Sequence, residues 1–147
     1  MKAAVATIGF TRTSAENFFA RLKQAGVKRV VDVRLHNTSQ LAGFAKADDL
    51  AWFLRTINGM DYVPEPILVP TEELMKFYKT EKGDWEVFQR DFTALMRERK
   101  IEKALKPAFL DGACLLCSEA TAQHCHRRLV VDYLNKQWNG ALTVHHL

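Results

Sequence analysis

Apolar positions along this chain follow two periods that alternate from one segment to the next. Ala3 to Ile8 is a short apolar run ending at Gly9 and predicts a first strand. Thr13-Ser14-Ala15-Glu16 matches a capping box, with Thr13 as cap and Glu16 three residues on. Phe18, Phe19, Leu22 and Ala25 then recur at helical spacing, and Gly26 stops the helix as a left-handed cap residue. Val27 to Val33, containing Val-Val-Asp-Val, predicts a second strand. Strand, helix and strand within about thirty residues is the signature of a parallel βαβ pair.

Arg34 to Lys46 has no period and predicts a loop of about a dozen residues, a length usually tied to function or mobility. Asp48 or Asp49 opens a helix through Leu50, Trp52, Phe53, Leu54 and Ile57, closed by Asn58-Gly59, and Met60 to Val63 is a short third strand. Pro64, Pro66 and Pro70 interrupt regular structure. A helix from Thr71 (its cap) to Lys79 follows, and Gly83 separates it from a longer one, Asp84 to Leu105, which Pro107 ends. Ala113 to Cys117 is uniformly apolar, as a strand buried on both faces is. Thr121 is placed to cap a helix running from Ala122 to Trp138, and Leu142 to His146 is a last strand after the turn Asn139-Gly140. This alternation predicts an α/β fold: a single domain, 1–147, with a mostly parallel central sheet of about five strands and helices on both faces.

Composition agrees with that picture and narrows the compartment. A chain of 147 residues is long enough for one domain with a real core. Apolar content of 48% and charged content of 26% are those of a soluble globular protein. No apolar run approaches a membrane span, and the first ten residues lack a signal-peptide pattern, so the cytoplasm is expected. Three cysteines, an odd count, argue against a disulfide framework. The net charge of +4 favours anionic partners, but basic residues are interleaved with acidic ones, which gives nucleic-acid binding little support.

The densest chemistry lies between the fourth strand and the helix after it. In an open α/β sheet, ligands bind at the carboxyl ends of the strands, beside helix starts. Cys117 closes its strand at that edge, where loop N–H groups stabilise thiolate; a reactive and a structural cysteine are both compatible with the position. Cys114 and Cys117 form C-x-x-C, but residues three apart on a strand face opposite ways, so Cys114 reads as a buried hydrophobe. Cys125 reads as a packed thiol first and a reactive one second. Arg128 shares a helical face with Asp132, Asn135 and Lys136 and is solvated. Arg127 shares one with Val131, Leu134 and Trp138, and its guanidinium reaches toward the crevice or pairs with Asp32 or Glu119. Asp32 and Arg34 share a face at the end of strand two and need a partner or a task. Thr11 and Arg12 follow strand one, and Glu65 follows strand three. His145 and His146 read as structural or surface residues.

These residues resemble a known group. Thr7-Ile8-Gly9, Val31-Asp32-Val33-Arg34, and Leu115-Leu116-Cys117-x-Glu119 followed by Cys125-His126-Arg127-Arg128-Leu129 are similar to the domain-of-unknown-function family numbered 488 over nearly the whole chain. The resemblance implies a small intracellular α/β domain and names no activity. Where the family pattern often has His then Ser after the first Gly, this chain has Phe10 and Thr11. The Asp-Val-Arg strand end is also similar to rhodanese-like domains. In cysteine phosphatases an Arg follows the Cys by six residues; here that position is Gln123, which argues against such a phosphate cradle.

The leading expectation is therefore a small anionic or nucleotide-like ligand at the carboxyl edge of the sheet, with cysteine-dependent catalysis left open as its enzymatic form. Cys117 is the reactive or ligand-contacting thiol, and Glu119 an acid/base or an arginine orienter. Arg34 and Arg127 hold the anion, with Thr11, Arg12, Asp32, His126 and Glu65 around them. One alternative is a nucleic-acid or protein-binding module in which the motif is structural. A third is a metal protein using Cys117, Cys125 and a histidine. No cofactor is named by the residues.

Overall fold

A computed structural model describes residues 2–38, 43–119 and 122–147. Five strands form one parallel sheet: β1 (Ala3–Gly9), β2 (Arg29–Asp32), β3 (Asp61–Pro64), β4 (Ala113–Cys117) and β5 (Leu142–His146), in the order β3-β2-β4-β1-β5. The α/β expectation holds, and the residues of β4 are those the apolar run picks out.

Alternation along the strands feeds two cores. Ala3, Val5, Val31, Ala113, Leu115 and Cys117 face α4 (Trp85–Arg99) and α7 (His126–Gln137), where Phe88, Phe92, Met96, Val130 and Leu134 are buried. Ala6, Ile8, Val30, Cys114 and Leu116 face α1 (Ala15–Gln24) and α2 (Ala47–Phe53), against Phe18, Leu22 and Leu50. Cys114 is buried among them, and burial raises its thiol pKa far above the ordinary value, as befits an inert packed sulfur.

The strand order carries a consequence for the site. From β1 the chain passes over one face to β2 and on to β3. It then returns to insert β4 between β2 and β1, and α7 crosses the other face to β5. The carboxyl ends of β1 and β4 are thus neighbours whose following helices lie on opposite faces. That is a topological switch point, where the loops diverge and leave a crevice.

Several elements differ from their expected bounds. The cap of α1 is Ser14, not Thr13: the Ser14 hydroxyl accepts from the Asn17 N–H at 3.1 Å, while Thr13 accepts only from the Asn17 side chain. Ser14→Ala is expected to cost about 1 kcal/mol and Thr13→Ala less than about 0.5 kcal/mol in urea unfolding; equal losses would contradict this assignment. The helix expected over 84–105 breaks at Lys100, which takes φ 52 and divides α4 from α5 (Ile101–Ala104). The break turns Ile101 fully into the core. Thr71 does cap its helix, accepting from the Leu74 N–H; α3 (Glu72–Met75) continues as a π-helical turn, Lys76–Thr80. Short α6 (Pro107–Leu110) starts on Pro107, whose fixed φ suits a first helical turn.

The largest difference is at α7. It begins at His126, four residues later than the pattern predicts, and Cys125 is extended at φ −129°, ψ 141°. Thr121, the expected cap, lies outside the described residues. The His124 ring stacks on Trp85 at 5.0 Å, and the Cys125 sulfur turns inward toward Cys117. These tertiary contacts hold the segment off the helical path.

A candidate thiol centre at the switch point

The site is assembled from the ends of β1 and β4 and the start of α7. β1 ends on Gly9 because nothing larger fits: a Cβ there would sit 1.5 Å from the Glu119 carbonyl oxygen and 2.9 Å from Arg127 Nη1. Thr11 clamps the same loop from the other side, its N–H donating to the Ser118 carbonyl at 3.1 Å and its hydroxyl to that oxygen too. The backbone after Cys117 is therefore held against β1.

Cys117 and Cys125 lie in the first core cluster, 5% and 2% exposed. Their sulfurs and a ring nitrogen of His126 all lie within 4.8 Å of one another, the one such Cys/His/Asp/Glu group among the described residues. His126 Nε2 is 2.6 Å from the Val33 carbonyl oxygen, which only accepts, so Nε2 carries the hydrogen. Nδ1 then faces Cys117 Sγ at 3.4 Å, and one proton is shared across that gap, as S–H···N or as N–H···S⁻.

The electrostatics favour thiolate at Cys117. Its pKa is lowered, first by the hydrogen bond from the Cys125 thiol, then by the Ser118 and Glu119 backbone N–H groups and the Arg127 charge, which together outweigh burial. Cys125 moves the opposite way, raised by that same bond to Cys117 and by burial. The pair thus separates into one acidic thiol and one proton-retaining thiol.

Arg127, expected to hold an anion at the crevice, is instead enclosed. It is fully buried, with Nη1 donating to the Glu119 carbonyl at 2.6 Å and to Cys125 Sγ at 3.6 Å. Its Nε and Nη2 have no partner among the described residues, and no carboxylate pairs with it there. A buried guanidinium needs an anion nearby, and the thiols of the centre are the groups placed to supply one. Arg127 accordingly lies behind the sulfurs rather than on the open side.

A hollow of about 50 Å³ adjoins the sulfurs, lined by Cys117, Glu119, Cys125, His126 and the aromatic rings of Tyr78 and Trp85, among others. At its mouth the Glu119 carboxylate pairs with Lys79 Nζ, both side chains partly exposed. Three larger hollows, of about 390, 350 and 430 Å³, lie elsewhere, near Lys28 and Asp111, near Phe44 and Ile57, and near Glu86 and Arg97.

The chain belongs to the DUF488 family. The family model, described as a domain of unknown function, matches residues 14–134. No curated protein and no solved structure matches the chain. The match covers the elements that build the thiol centre of this DUF488 domain, except the end of β1.

In this DUF488 domain the expected site residues separate into two groups. Cys117, Glu119, His126 and Arg127 come together, with Thr11 bracing their loop. Arg34 does not line the hollow. Its Nε and Nη2 bond both Asp32 oxygens at 2.9 and 2.8 Å, Nη1 bonds the Ala45 carbonyl at 2.6 Å, and its guanidinium lies 5.4 Å from the Phe10 ring centre. An arginine with every edge of its fork engaged and 3% exposure offers nothing to an anion. Asp32 is equally engaged, also accepting from the Tyr62 hydroxyl. Arg12, at φ 59, is exposed and Glu65 half-buried, and both are outside the hollow's lining. Arg127 contacts the Glu119 backbone carbonyl, not its carboxylate. Arg128, expected to be solvated, is half-buried, with its enclosed Nε 3.5 Å from Asp132 Oδ2 on the same helical face. His146 accepts or donates at Thr7 Oγ1, 2.6 Å away, on the edge strand, and burial depresses its pKa.

Sequence reasoning missed Lys79, His124 and the aromatic lining. Lys79 reaches Glu119 across 40 residues, and no spacing rule foretells that pairing. The packing expected of Cys125 is seen, since it is buried in the same core as Leu129, but it stands one residue before the helix rather than in its first turn. Among the described residues, no helix is long and apolar enough to cross a membrane.

Proposed function

We propose that the protein works through Cys117 as a reactive thiolate at the β1–β4 switch point, taking a small anionic or electrophilic group from the hollow beside it. One observation carries this reading: hydrogen bonds from Cys125 and two backbone N–H groups, with the Arg127 charge behind, all favour sulfur as an anion. His126 exchanges the proton across the 3.4 Å gap to Cys117. Glu119 and Lys79 stand at the mouth, where Lys79 replaces Arg34 as the cation an incoming anion meets. The size of the hollow favours a ligand of a few heavy atoms over a nucleotide, which needs several hundred Å³. A cytoplasmic location, where thiols stay reduced, belongs with this reading.

The test is alkylation of Cys117 by iodoacetamide against pH, read by peptide mass. A lowered pKa means that thiolate is present at lower pH, so the rate should reach half its plateau well below about 8.5, the value for an ordinary thiol. Arg127→Met should move that midpoint upward. A midpoint at or above the ordinary value in the native chain would remove the reading. The metal alternative draws on the closeness of two sulfurs and a ring nitrogen; about one equivalent of zinc in the purified chain would replace the thiolate reading with a metal centre. The nucleic-acid alternative draws on the +4 charge alone and requires steeply salt-dependent binding.

A further inference from the structure

We propose that Cys117 and Cys125 act together as a peroxide-reducing dithiol, closing to a disulfide when a hydroperoxide enters the hollow. The proposal rests on Cys117 being the reactive thiolate and adds a second function, for Cys125, and a substrate class.

Four observations carry it. The two sulfurs share one buried centre and lie within 4.8 Å of each other, so a disulfide of about 2.05 Å needs a closure of less than about 3 Å. Cys125 precedes the first helical residue of α7 and its side chain makes no capping bond, so turning its sulfur toward Cys117 breaks no helical hydrogen bond. The hollow is about 50 Å³, room for a two-oxygen oxidant and too little for a peptide or glutathione disulfide. Arg127 donates to Cys125 Sγ from behind, where a guanidinium stabilises that sulfur as it gains negative charge in attack.

The chemistry closes without another co-reactant. The Cys117 thiolate attacks one oxygen of hydrogen peroxide. An S–O bond forms, the O–O bond breaks, and the departing hydroxide takes the proton held by His126 Nδ1 and leaves as water. Cys117 sulfur has then lost two electrons and the peroxide has gained them. The Cys125 sulfur next attacks the sulfenic sulfur of Cys117. An S–S bond forms, the S–O bond breaks, and the hydroxide leaves with the Cys125 proton as a second water. Two thiols and one peroxide become one disulfide and two waters. Cys114, on the other face of the sheet, takes no part.

The experiment treats the reduced full-length chain, held in a chelator, with an equivalent of hydrogen peroxide and measures intact mass and peptide linkage. The native chain should lose about 2 Da, with residues 117 and 125 cross-linked and Cys114 still free. Cys125→Ser should instead accumulate a sulfenic acid at Cys117 that dimedone traps, and Cys117→Ser should do neither. A native chain that keeps three free thiols, or that links Cys114, overturns the proposal; because this readout is on the native protein, no variant's failure to fold obscures it. The iodoacetamide profile separates the two claims. If Cys117 alkylates at low pH yet no disulfide forms, the dithiol falls and the reactive thiolate stands. If Cys117 is inert to both reagents, both fall.

Discussion

Asp32→Asn is expected to destabilise the protein by about 3–5 kcal/mol, because it leaves a buried guanidinium without its counter-charge. The Asp32 carboxylate receives the Arg34 backbone N–H at 3.0 Å, Arg34 Nε and Nη2, and the Tyr62 hydroxyl. An amide presents one N–H₂ where two donors already point. Both side chains are almost wholly enclosed, so water cannot take over. The companion variants sharpen the test. Tyr62→Phe removes one hydrogen bond and should cost about 1–2 kcal/mol. Asp32→Leu with Arg34→Met removes both charges and should recover much of the loss, as apolar replacements of buried ion pairs often do. Urea unfolding measures all three. A loss below about 1 kcal/mol for Asp32→Asn would mean that Arg34 is solvated after all, and would return it to the set of ligand-binding candidates.

Gly9→Ala should be the more damaging change for the site. The added methyl would lie 1.5 Å from the Glu119 carbonyl oxygen and 2.6 Å from its carbon. Those are backbone atoms, so no rotamer relieves the overlap; either β1 or the loop after β4 must shift. The expected cost exceeds about 4 kcal/mol, the exceptional end of single substitutions. If the variant folds, the shifted loop withdraws the Ser118 and Glu119 N–H groups from Cys117 and the carbonyl from Arg127 Nη1. Its alkylation midpoint should then rise toward that of an ordinary thiol. A melting temperature and a Cys117 profile both unchanged would show that the close approach is not what holds the loop.

How far sequence alone reaches is visible in particular residues. β4 was legible to the residue because a strand covered on both faces carries an uninterrupted apolar run, and every one of its five residues is buried. Strand direction alone puts Cys117 and Glu119 at the carboxyl end of β4, where the structure has them. The late start of α7 was not legible: residues 122–125 contain no Gly or Pro, and what keeps Cys125 extended is a partner in β4 and a Trp85–His124 stack formed across the fold. For Asp32 and Arg34, alternation showed that they share a face and need an explanation. It did not show that each explains the other, since the wrap of Arg34 back onto Asp32 depends on the Ala45 carbonyl waiting beyond it. Gly9 looked like a mere strand end, and its steric role needs the Glu119 carbonyl, 110 residues away.

The position of β4 in the sheet also dictates when the protein can fold. β1 and β2 follow each other along the chain but never touch as partners; each is bonded to β4. A nascent polypeptide emerging from the ribosome can pair β2 with β3, but β1 stays an orphan until residue 117 is made, and joining it to the rest of the sheet waits on a segment from the last third of the chain. The same event that knits the strands together delivers Cys117 to the crevice, so the centre matures in step with the final closure of the fold and has no earlier, half-built form.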